Sequence, residues 1–154
     1  MADLERSLAG TSFCEGMQPF HISLLARGAG ERAFQAGQFV FHEGDEANSL
    51  YILLKGHVSL EVSTPARGAI VFQTIGAGDA LGLSWLFPPF RWHFDARAIE
   101  PTQTIVLDAG RLRAQIEEDH DFGYELLIRI ASVMVTRLQA TRLQMTDMYG
   151  AGDS

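Results

Sequence analysis

The chain has 154 residues, of which 47% are hydrophobic and 20% charged, and a formal net charge of −7. That length supports one folded domain with a core, and the acidic balance excludes a protein whose main task is to grip nucleic acid through many phosphates. Lys55 is the single lysine and Cys14 the single cysteine, so the cations are mostly forked guanidiniums suited to flat anions, and no intrachain disulfide can form.

Cys14 reads as a small buried side chain rather than a redox centre. The N-terminus shows no basic start followed by an apolar run, and no stretch reaches membrane-spanning length. A soluble, cytoplasmic, unprocessed protein is expected, with no membrane contact.

Residues 1–17 read as a weakly structured lead-in. Residues 18–27 carry apolar residues at helical spacing and run into Gly28 and Gly30, which predicts a short helix with a glycine stop. Over 33–109, short runs rich in Phe, Val, Ile and Leu are broken by glycine turns, including Gly44-Asp45 and Gly78-Asp79. Strands are expected over 39–42, 49–62, 69–75, 92–100 and 102–107, which together mark a β sandwich or barrel. Asp108 then caps a short helix over 110–119, and Asp121 caps a long one over 122–149. No repeat or linker divides the chain, so 1–154 reads as a single domain.

In the long helix, Leu127, Ala131, Met134, Leu138, Thr141, Met145 and Met148 alternate spacings of four and three. This is an a/d seam that keeps one stripe facing a partner helix. Ile128, Ile130, Val133 and Val135 are apolar too and lie partly off the seam. One face can therefore cover the strands and the other a second subunit, which predicts a homodimer. The alternative is that the stripe packs on its own strands.

The segment from Gly78 to Ala98 has the layout of an anion site: a strand end, a glycine turn, one short helical turn, a loop, then a strand carrying arginine. Free N–H groups at a helix start and a fixed cation converge there.

Several ordered segments carry a family resemblance. Phe34-Gln35-Ala36-Gly37, Phe41-His42-Glu43-Gly44-Asp45, Leu50 through Val58, Ile75-Gly76-Ala77-Gly78-Asp79 and Arg137 through Thr141 together resemble the cyclic-nucleotide-binding domain of the catabolite activator protein (Crp/Fnr-like) superfamily. The resemblance implies a jelly-roll β-barrel, mainly β with α, with a short N-terminal helix and a long C-terminal dimerisation helix. It implies a cyclic nucleotide, cyclic AMP or cyclic GMP, as a possible ligand. The DNA-binding members continue into a helix-turn-helix domain; this sequence shows none after the long helix, so a stand-alone domain without direct DNA binding is expected.

The phosphate cassette of that family departs here at the positions that name a ligand. In Gly82-Leu83-Ser84-Trp85-Leu86, Leu83 stands where the family carries the glutamate that takes the ribose hydroxyl. Trp92 stands at the position of the phosphate arginine, with His93 next. Arg91 is one residue early, and on a strand one residue swaps the face, so it reaches the pocket only if the chain bulges near Pro88-Pro89. Arg97 matches a peripheral basic position, and Thr141 and Arg142 match positions that reach the base. Two readings stay open: the rings of Trp85, Phe87, Phe90, Trp92 and Phe94 plug the pocket, or they line a remodelled one in which Gly82, Leu83, Ser84, Trp85, Arg91, Trp92, His93, Arg97, Thr141 and Arg142 meet a nucleotide-like or aromatic anion. Asp95, close to Arg91 and Arg97 in sequence, reads as a structural partner for an arginine.

No metal site is expected: His21, His42, His57, His93 and His120 show no metal-ligand spacing. No nucleophile elbow or phosphate-binding P-loop appears either, so an enzyme is not expected. Haem needs only one axial residue, with His93 or His57, and Met134 or Met145 as a second ligand, as the candidates. The reading is a non-enzymatic regulatory domain that signals through the dimer helix to an unknown protein partner. Its alternatives are a dimeric interaction module with a filled pocket, and a haem-based gas sensor.

Overall fold

The computed structural model describes the backbone of residues 2–150 and the side chains of residues 3–140 and Arg142. The chain runs α1 (Ala2–Ala9), α2 (Pro19–Ala26), β1 (Gly30–Phe34), β2 (Phe39–Phe41), β3 (Ser49–Lys55), β4 (Val58–Thr64), β5 (Gly68–Ile75), β6 (Ala80–Leu81), β7 (Asp95–Ala98), β8 (Thr102–Asp108), α3 (Ala109–Glu118) and α4 (His120–Gly150), with a 3-10 turn at Ser84–Leu86 after β6. The strands form two four-stranded antiparallel sheets, β1-β8-β3-β6 and β2-β7-β4-β5. No strand ladder among the described residues closes them into a barrel; they meet through side chains, as where Phe41 of β2 approaches Tyr51 of β3.

The central strand β3 is buried from Leu50 to Leu53. This explains its unbroken apolar run: a strand covered on both faces has no reason to alternate. Leu60, Ile105, Leu107 and Phe34 join the same core. The structure shortens the strand expected over 92–100 to β7. Trp92 donates its backbone N–H to Asp45 O and accepts from Gly44 N, so the chain at Trp92 is held by a turn instead of a ladder.

The lead-in is ordered, contrary to the sequence reading. α1 opens with Asp3 and Glu5 in its first turn and buries Leu8, an acidic start that suits the positive end of the helix dipole. After it, Thr11, Phe13, Cys14 and Met17 are all buried, and Phe13 N and Ser12 Oγ both donate to Gly78 O. The lead-in thus pads the turn between β5 and β6.

Asp108 caps α3 as expected, accepting from Arg111 N. The cap of α4 lies two residues earlier than expected: Asp119 Oδ1 accepts from Phe122 N, and Asp121 sits inside the first turn. A Cβ on Gly123 would lie 2.9 Å from Ile116, so glycine here lets α3 and α4 approach closely. Phe122, Leu126 and Ile130 are buried on one stripe of α4, and Val133 packs against the core beside them. Opposite, Tyr124, Leu127, Ile128, Met134, Val135 and Leu138 are exposed. The two-faced helix is present, but Ile128 and Val135 fall on the exposed face and only Ile130 and Val133 serve the core. Ala131 is also exposed, whereas the side chains of Thr141, Met145 and Met148 lie outside the described residues.

Candidate functional site

A cavity of about 420 Å³ lies between the second sheet, the 3-10 turn and α4. Leu60 of β4 and Phe72 and Gln73 of β5 form its sheet wall; Leu83, Ser84 and Phe87 come from the turn, His93 and Phe94 from the loop before β7, and Met134, Arg137 and Leu138 from α4. The rings of Phe72 and Phe94 meet edge to face at 5.6 Å, a favoured geometry that holds the wall rigid. The turn itself has only three residues. It is the single short helical turn expected from the sequence.

Of the residues singled out from sequence, Leu83, Ser84, Phe87, His93, Phe94, Met134 and Leu138 line this cavity. Ser84 Oγ and His93 Nδ1 lie 3.1 Å apart, within hydrogen-bonding reach. Gly82 stands behind the wall in the left-handed region at φ +93°, where a Cβ would lie 2.7 Å from the Trp92 ring. Trp92 is buried and stacks on Phe41 with ring centres 3.9 Å apart and planes within 9°. Trp85 is completely buried, and its backbone carbonyl accepts from Arg113 Nη1 at 2.6 Å. The indoles are buried core and do not line the cavity.

Of the three arginines placed in the site by sequence, Arg91 and Arg97 turn elsewhere. Arg91 is exposed, bridges Glu46 through the backbone, and donates Nη1 to Gly44 O. No bulge brings it to the cavity. Arg97 donates Nε to Glu61 Oε2 at 2.9 Å and lies over the Phe39 ring. Glu61 is almost fully buried and also accepts from Ser59 Oγ at 2.5 Å. Asp95, expected to partner an arginine, instead accepts from Glu43 N through Oδ1 at 2.7 Å and lies 3.7 Å from His42 Nδ1 among the described residues. Arg142 is exposed.

The cation on the cavity wall is Arg137, and with Gln73 it was missed as a site residue. Arg137 donates Nη2 to the carbonyl of Ala80, while Gln73 Nε2 donates to the Arg137 carbonyl at 3.0 Å. A carbonyl only accepts, which fixes the amide orientation and leaves Gln73 Oε1 buried without a hydrogen-bond partner among the described residues. Burial pulls the Arg137 pKa below its usual value, and the negative charge of Asp79 pulls against it. These bonds tie α4 to β5 and to the strand that leads into the 3-10 turn. Across this strap lies a second cavity of about 370 Å³, bordered by Ser12, Thr74, Asp79 and Thr136.

Other candidate ligands are dispersed. His57 is at the surface, 2.7 Å from Glu100 Oε1, while His93 and Met134 line the same cavity. Among the described residues no three His, Cys, Asp or Glu side chains gather as a metal site, and no helix is long and apolar enough to cross a membrane.

Comparison with known proteins fits this architecture. Residues 31–119 match the model of the cyclic nucleotide-binding domain family. A CRP-like cAMP-activated global transcriptional regulator of Mycobacterium tuberculosis is 25% identical over 145 residues, covering 94% of this chain and 63% of that regulator; the chain thus spans less than two thirds of its length. A crystal structure of a cyclic nucleotide-binding protein from Geobacter metallireducens GS-15 superposes with a TM-score of 0.78 at 26% identity, covering 90% of this chain and 99% of the other. A cyclic nucleotide-binding domain from Methylobacillus flagellatus KT shares the fold, with a TM-score of 0.81 at 18% identity over 96% of this chain and 83% of the other. With its jelly-roll sheets, its turn after β6 and its long final helix, the chain belongs to the cyclic nucleotide-binding domain family.

Proposed function

We propose that this chain is a non-enzymatic sensor domain that binds a small molecule in the cavity beneath α4 and passes its occupancy to a partner through that helix. The observation that carries this reading is the cavity itself: its wall takes residues from both the turn after β6 and α4, and Arg137 and Gln73 strap the two together. A ligand that favours one arrangement of the strap biases the helix by its difference in affinity for the two states. The exposed stripe of α4, with Tyr124 71% and Leu138 62% exposed, suits a homodimer in the cytoplasm. Family membership makes cyclic AMP or cyclic GMP a natural candidate ligand. Of the arginines discussed above, Arg137 lines this wall, whereas Arg91 and Arg97 lie outside it.

A second reading, a dimeric interaction module without a ligand, draws on the same exposed stripe and on the buried indoles. Thermal unfolding against a panel separates the two. A bound ligand raises Tm by mass action, so the sensor reading expects an increase with at least one of cyclic nucleotides, small ring compounds or haem. No shift with any of them supports the interaction module. Haem would also give a Soret band, with His93 and Met134 as the axial candidates on the cavity wall.

A further inference from the structure

We infer that the cavity under α4 selects an uncharged ring compound carrying one group that both donates and accepts a hydrogen bond, such as a hydroxyl or amide, in preference to a phosphate or carboxylate. This rests on the sensor reading of that cavity and names its ligand class. Leu60, Phe72, Leu83, Phe87, Phe94 and Leu138 make most of the wall. An anion moved among such groups loses its hydration and needs several donors or a cation in return.

Those partners are committed elsewhere. Arg97 is bonded to buried Glu61, and Arg91 to the Gly44 carbonyl. Arg137 borders the cavity, but its guanidinium donates to Ala80 O and its charge is already opposed by Asp79. These three arginines thus hold the fold together and are poorly placed to receive a ligand charge.

The polar feature on the turn side of the wall is the Ser84–His93 pair, 3.1 Å apart. Its chemistry is amphoteric. If Ser84 donates to Nδ1, the imidazole presents an Nε2–H donor and the serine oxygen keeps an acceptor site. If Nδ1–H donates to Ser84, the serine proton is available and Nε2 accepts. In either neutral tautomer the pair keeps one donor and one acceptor, divided between Ser84 Oγ and His93 Nε2, so a group that both donates and accepts finds a partner at either atom, whereas an acceptor-only carboxylate finds one only at the donor. At the rim, Phe87 is 54% exposed and Leu138 62% exposed. A flat ring seated there removes this apolar surface from water, which supplies the driving force.

The test uses the full chain and three probes at neutral pH: 2-naphthol, 2-naphthoate and cyclic AMP, followed by calorimetry and thermal unfolding. The expected result is binding of 2-naphthol at least about tenfold tighter than of 2-naphthoate, with cyclic AMP weaker still. Phe87→Ala, a substitution at an exposed position, weakens 2-naphthol, and Ser84→Ala narrows the gap between naphthol and naphthoate. Tighter binding of naphthoate or cyclic AMP overturns the ligand class and leaves the sensor reading standing. Equal binding of naphthol and naphthoate, or a gap untouched by Ser84→Ala, overturns the role of the Ser84–His93 pair. Binding of none of the three overturns the inference and counts against the sensor reading as well.

Discussion

The six-membered ring of Trp92 lies against the α-carbon of Gly82, so close that a Cβ there would come within 2.7 Å of it. Gly82 also holds φ +93°, a region costly for any residue with a side chain. Both demands fall on one position. Gly82→Ala should lower stability by about 2–4 kcal/mol, read from denaturant unfolding. Gly37 has φ +88° with nothing within 4 Å of its Cβ position, so Gly37→Ala should cost only the dihedral, about 1–2 kcal/mol. Equal losses for the two variants would show that the indole contact is slack.

Arg97 and Glu61 form a pair with one member deeply buried. Arg97→Met keeps the stem over the Phe39 ring and removes the charge, leaving Glu61 with Ser59 alone. Because Arg97 is itself partly exposed, a loss of about 1–3 kcal/mol is expected. Restoring neutrality with Glu61→Gln in the same chain should recover part of it. The ring-compound affinity should be unchanged, since neither side chain lines that wall after Leu60 and Phe72 have closed it.

His21 on α2 is bonded to Glu125 on α4 at 2.8 Å, and Gln18 N donates to the same carboxylate oxygen. Burial pushes the Glu125 pKa up, but the His21 bond, the Gln18 N–H and the charge of Arg129 outweigh it, and the net direction is below the usual 4.5. A carboxyl with a depressed folded pKa stabilises above its unfolded value and loses that contribution as pH falls through the folded one. Glu125→Gln should therefore cost about 1–2 kcal/mol near neutrality. The difference from the native chain should shrink as the pH drops below 4.5. A difference that stays constant with pH would remove the carboxylate from the account.

The exposed stripe of α4 predicts self-association. Ile128→Asp and Leu138→Asp should each convert a dimer to a monomer in sedimentation velocity, with unfolding little altered because both side chains are already exposed. Ile99, equally exposed but away from the helix, provides the control: Ile99→Asp should leave the association state unchanged. A monomeric native chain would contradict the prediction.

Local signals carried much of the fold. The turns at Gly44-Asp45 and Gly78-Asp79 lie where their glycines require, both with positive φ, and the buried run Leu50–Leu53 marked the central strand. Non-local partners were illegible. The end of the lead-in gave no local signal because Phe13 and Ser12 gain their order from Gly78, far along the chain, whereas Leu4 and Leu8 of α1 stand at helical spacing. Gly82 was visible as a turn glycine, but not the indole that requires it. Arg97 and Asp95 are neighbours in sequence yet turn to Glu61 and Glu43, on different strands and loops. Gln73 gave no signal, being one polar residue in a half-exposed strand. Arg137 did give one: it follows Ile130 and Val133 on the core-facing stripe of α4, and a charge on such a stripe marks a buried contact.

Hydrogen exchange along the chain, with and without a saturating 2-naphthol probe, tests most directly whether the cavity speaks to the helix. Slower exchange in peptides spanning Leu83 to Phe94, together with altered exchange around Met134 to Leu138, is the predicted result. Protection limited to the turn, with α4 exchanging at an unchanged rate, would contradict signalling through the helix, and no protection at either place would contradict a ligand site there.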